Sequence, residues 1–90
     1  MNKEKNLEEA LNNIVLAPRE ILIESLEYSF NKAKEYDICW ENHSIEGSES
    51  CAKYYEKLKD KHYNYCRILN KEITKRDYQT QQVIHMFEIQ

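Results

Sequence analysis

Residues 49–76 read ESCAKYYEKLKDKHYNYCRILNKEITKR, with no glycine or proline to interrupt them. At 100° per residue, Cys51, Tyr55, Leu58, His62, Cys66, Leu69 and Ile73 cluster on one side of a helix. Lys53, Lys57, Lys61, Arg67, Lys71 and Lys75 cluster on the other. The spacing predicts an amphipathic helix about 40 Å long. That is long for a 90-residue chain, so part of its flank is left over for a partner.

Upstream, the periodicity holds from Pro18 to about Glu41. Leu22, Leu26, Ser29, Ala33, Tyr36 and Trp40 form its inner face, widened by Ile23 and Phe30. Pro18 suits a first helical position, where its missing N–H has no partner to lose. The segment Asn42-His43-Ser44-Ile45-Glu46-Gly47 reads as a loop. Gly47 is free to take positive φ, and Ser48 or Ser50 can cap the helix that follows. A shorter stripe of Leu7, Ala10, Leu11 and Ile14 predicts a first helix over about residues 3–15.

The tail, residues 77–90, fits two readings. Val83-Ile84-His85-Met86-Phe87 is rich in strand formers, whereas Tyr78, Gln82, His85 and Ile89 share a helical face. No second strand candidate exists within the chain, so a short fourth helix is preferred, with an intermolecular strand as the alternative. The fold expected is an all-α single domain: a bundle of three or four helices built on a long antiparallel hairpin.

One glycine and one proline in the whole chain leave few loops on which catalytic groups usually sit. There is no Gly-rich phosphate loop, HExxH or nucleophile elbow. The reading is therefore of a protein that is not an enzyme and takes no cofactor. His62 and Cys66, an i, i+4 pair, look like core residues and not a thiol–imidazole dyad. Cys39, His43 and Cys51 would meet only if the hairpin turned at Ile45. Their spacing matches no zinc pattern, so no metal is assigned. An odd set of three cysteines fits a reducing cytoplasm, and no apolar run approaches a membrane span.

Charge is divided along the chain. Residues 1–48 carry five Lys/Arg against ten Asp/Glu, or −5. Residues 49–90 carry eight against six, or +2. The six cations of the third helix, flanked by Tyr54, Tyr63 and Tyr65, read most simply as a solvated face. They also suit the surface of an acidic protein or a phosphate backbone. A net charge of −3 weighs against nucleic acid. Trp40 reads as a cap on the hairpin core, or as an interface anchor if exposed.

The functional expectation is a small cytoplasmic protein-binding module, an inhibitor, adaptor or regulator. Its contact residues would be Trp40, Tyr54, Lys57, Lys61, Tyr63, Arg67 and Lys71. A dimeric nucleic-acid-binding protein using the same ridge is the alternative. A homodimer is expected because the amphipathic helices offer more apolar surface than one hairpin covers. The Lys/Asn/Ile/Tyr-rich composition also suits a phage or mobile element.

Overall fold

The computed structural model describes residues 2–89, and the side chains of residues 2–86. The Ile89 side chain and Gln90 lie outside the described residues. Three helices follow in order: α1, Lys3–Asn12; α2, Arg19–Glu46; and α3, Glu49–Ile89. No strand occurs among the described residues. The antiparallel α2–α3 hairpin is the frame, and α1 folds back on α2.

α1 starts where Asn2 Oδ1 accepts the Lys5 N–H at 3.2 Å. It ends three residues short of the expected boundary. Asn12 and Asn13 are weak helix formers, and Asn13 turns to φ −142°, ψ 55°. Its carbonyl then accepts from the amides of Leu16 and Ala17. Pro18 sits just before α2, and its carbonyl accepts from Leu22.

The expected loop at 42–47 is mostly helix. α2 continues through His43, Ser44 and Ile45 to Glu46 and stops only at Gly47, at φ +81°. There the Gly47 N–H reaches the Ser44 carbonyl and the Ser48 N–H reaches the His43 carbonyl, the paired bonds of a Schellman turn. Asn42, His43 and Ser44 tolerate helix when an αL glycine closes it, so Gly47 alone sets the boundary.

The tail is neither a fourth helix nor a strand. α3 runs unbroken for 41 residues, about 60 Å at helical rise, and dominates a molecule 64 Å long. No residue after Gly47 is a glycine or proline, so nothing stops the helix. The Arg19 guanidinium grips the Asp77 carboxylate through two hydrogen bonds of 3.1 Å, tying the start of α2 to α3 at this level.

The core sits where all three helices meet. Leu7 and Ala10 of α1, Leu22 of α2, and Leu69 and Ile73 of α3 form it. Towards Gly47 the hairpin is held differently. Ser29 and Ala33 are fully buried and let the backbones approach, and beyond them aromatic rings interleave. Tyr36 lies between His62 and Tyr55, at 5.6 and 6.1 Å, and His43 stacks on Tyr55 at 5.3 Å and 7°. Tyr36 and His43 are seven residues apart on α2, as Tyr55 and His62 are on α3, so the two pairs mesh.

The same heptad logic corrects two face assignments: Lys59, held by Asp37 and Trp40 of α2, stands on the seam where Leu58 was expected, and Cys51 is likewise displaced. Cys51 is exposed and Ala52 is buried in its place. The α3 positions turned to α2 follow 52, 55, 59, 62, 66, 69, 73, a repeat of 3.5. A 3.6-residue wheel drifts from that line over three heptads. Phe30, expected to widen the α2 face, is 44% exposed and lies under the Lys34 ammonium instead.

Candidate partner-binding surface

Among the described residues, the outer face of α3 offers positive charge without internal partners. Lys57, Lys61, Arg67 and Lys71 are all exposed. None of the ion pairs among the described residues involves them. Arg19 pairs with Asp77, Arg76 with Glu72, Lys59 with Asp37, and Lys32 with Glu35. Arg67 thus differs from the other two arginines in lacking a carboxylate.

Lys57, Lys61, Tyr63 and Arg67, with Asp60 and Asn64, surround a recess of about 600 Å³. Every wall belongs to one helix, so it is the open space between long side chains and not a cavity shaped for a small ligand. Tyr63 and Arg67 also reach over the edge into a second groove of about 320 Å³. Leu26 and Phe30 of α2 and Cys66 and Asn70 of α3 complete it. This groove has walls from two helices and lies beside the ridge, so an apolar strip and a basic strip adjoin.

The other two residues of the sequence-based set lie elsewhere. Trp40 is half-buried across the hairpin seam. Its ring carries the Lys59 ammonium at 4.3 Å, and the same lysine is held by Asp37 at 3.6 Å. Tyr54 is 60% exposed but packs edge-on against Tyr55 near the Gly47 end. Tyr54 and Tyr63 are nine residues apart, which puts them on opposite flanks of the ridge. Lys61 leans towards the Tyr54 flank, with its ammonium 5.8 Å from the Tyr65 ring.

His62 and Cys66 sit beneath this surface. The His62 imidazole is ringed by Tyr28, Tyr36 and Tyr65. Burial pushes it below its ordinary value, and the charges of Lys61 and Lys32 push the same way. The Cys66 Sγ lies 4.0 Å from the Leu26 carbonyl, and burial pushes its thiol up, away from the thiolate. Both changes run against a nucleophile–base pair. Among the described residues no three metal-ligating side chains gather, and Cys39, His43 and Cys51 do not converge. Among the described residues no helix is long and apolar enough to cross a membrane.

Sequence reasoning missed the apolar groove. Leu26 and Cys66 lie on the inner faces that the periodicity predicts but are only half-buried, and with the exposed Phe30 they line a side of the hairpin that only the packing shows to be left open. It also missed Arg76, whose Nη2 donates to the carbonyls of Ile14 and Val15 at 2.9 and 3.1 Å. Comparison with known protein families, curated proteins and solved structures finds no match.

Proposed function

We propose that this chain is a protein-binding module that docks an acidic partner surface on α3. The observation that carries the reading is the row Lys57, Lys61, Arg67 and Lys71. Among the described residues these cations have no carboxylate partners, and Arg67 among them also lines an apolar groove, on a chain whose net charge is −3. Charge complementarity of this kind steers encounter, and an adjoining apolar strip slows dissociation. Such a module acts by occupying a surface, as an inhibitor, adaptor or regulator.

The test is capture of host proteins by the tagged chain after nuclease treatment, in parallel with Lys57→Glu/Lys61→Glu/Lys71→Glu. These side chains are exposed, so helicity is expected to be retained. A stoichiometric partner captured by the wild type and lost with the triple variant supports the proposal. Equal capture by both would refute the ridge as the contact. Steeply salt-dependent retention of DNA or RNA in a mobility-shift assay would instead favour nucleic acid.

A further inference from the structure

The groove walled by Leu26, Phe30, Tyr63 and Cys66 lies on one side of the hairpin. α1 packs on the other side, where the charge of Glu4 reaches Tyr28 and His62. Two rows of charge border the open side. On α2, Glu27, Lys34 and Glu41 recur every seven residues, and the Lys34 ammonium lies 4.6 Å from the Phe30 ring. On α3, Lys53, Asp60 and Arg67 recur at the same interval, and Arg67 lines the groove. All six are exposed, and none belongs to an ion pair among the described residues.

The hairpin fixes the level of each row. Arg19 stands beside Asp77, Asp37 beside Lys59, and Leu26 beside Cys66. At that register Glu27 is level with Arg67, Lys34 with Asp60, and Glu41 with Lys53. The signs are opposite at all three levels, and at the middle level they are exchanged between the helices. Within one chain these partners stand on opposite edges of the hairpin, about 20 Å or two helix diameters apart, and do not meet.

We infer that this open side packs face to face on the same side of a second copy of the chain, about a two-fold axis parallel to the hairpin. Such an axis keeps every residue at its own level and sets α2 of each copy on α3 of the other. Glu27 then meets Arg67 of the copy, Lys34 meets Asp60, and Glu41 meets Lys53, each twice. Phe30 and Tyr63 of both copies share one level and fill the middle. Asp37 comes level with Glu56 of the copy, but Lys59 already holds Asp37 at 3.6 Å. An axis across the helices fits less well. Centred on Phe30, it lays α2 on α2 and brings Glu20 to Glu41.

The area suffices. From Glu20 to Glu41 the face runs about 32 Å, and its two helices are about 20 Å wide. Two such faces cover about 1,300 Å², within the range of specific interfaces. An apolar centre with charge at its edges is also the usual layout of such a surface. The copy fills the groove that an acidic partner would use, so the two occupants compete at Arg67, while Lys57 and Lys61 stay outside. The pairing is measured on the purified chain alone and stands or falls apart from that reading.

Sedimentation equilibrium between about 1 and 300 µM tests this. The wild type is expected to double in mass across that range. Glu27→Arg and Arg67→Glu each bring two like-charged pairs together. Each should weaken the dimer about tenfold or more, with helicity kept because both side chains are exposed. Mixed in equal amounts, the two variants restore opposite charges at both contacts and should recover the wild-type association. The chain carrying both substitutions should do the same. A wild type that remains monomeric, a dimer indifferent to the single variants, or a mixture no tighter than its components would each overturn the pairing.

Discussion

Arg76 is the residue on which the α1–α2 turn depends, and replacing it with methionine tests how that turn is held. Methionine keeps most of the aliphatic length and removes the guanidinium. Nη2 donates to two carbonyls, Ile14 at 2.9 Å and Val15 at 3.1 Å, and Nε reaches Glu72 at 3.1 Å. A hydrogen bond to a charged group contributes about 1.5–3 kcal/mol when sheltered. The Val15 carbonyl is exposed and one nitrogen serves both acceptors, so the two count for less than their sum. The partly exposed pair with Glu72 adds at most about 1 kcal/mol. The expected loss is about 2–3 kcal/mol, set against roughly 5–13 kcal/mol for a chain of this size. Melting should then drop by about 10–20 °C. Urea denaturation followed by far-UV circular dichroism, at low micromolar concentration, measures it. Glu72→Gln is the control and should cost about 1 kcal/mol or less. A loss below about 1 kcal/mol for Arg76→Met would refute the argument, as would a Glu72→Gln loss equal to it.

Two further outcomes follow from buried polar groups. His62 is held below its ordinary value, so between about pH 6.5 and that lower value the unfolded chain takes a proton the folded chain resists. The stability is fully present above this window and falls as the pH falls through it. His62→Phe keeps a ring in the column and should flatten this part of the stability–pH curve; an unchanged slope would show that another group titrates there. Ser29 Oγ is buried against α3 with no hydrogen-bond partner. Ser29→Ala should therefore stabilise the fold by about 1 kcal/mol in a denaturant titration, and a loss of stability would reveal a bond the geometry does not contain.

The hairpin was legible in the sequence because its signals are local and repeated. Leu22, Leu26, Ser29, Ala33, Tyr36 and Trp40 mark one seam, and Tyr55, His62, Leu69 and Ile73 mark the other. The boundaries were less legible because they depend on which residues stop a helix. Asn42 to Glu46 look like a loop by composition, yet only Gly47 has the backbone freedom to end α2. Cys51 was misplaced because supercoiling shifts the period from 3.6 to 3.5, and the error accumulates with distance from the core. The ridge was readable as a line of cations, and four of its seven nominated contacts gather at one recess. Trp40 was harder to place: its position under Lys59 is a long-range contact between helices, and no spacing within α2 encodes it.

The unbroken course of α3 also fixes a torsional register. Lys57 on the ridge and the exposed Val83, beyond the Arg19–Asp77 pair, belong to one rod, 26 residues apart. That spacing sets them about 39 Å apart along the axis and about 80° apart around it. With no glycine or proline between them, neither position can swivel independently of the other. One residue inserted after Thr80 would leave the ridge untouched and turn the outer end by about 100°. The molecule thus presents the two at a set azimuth, as teeth cut on a single shaft.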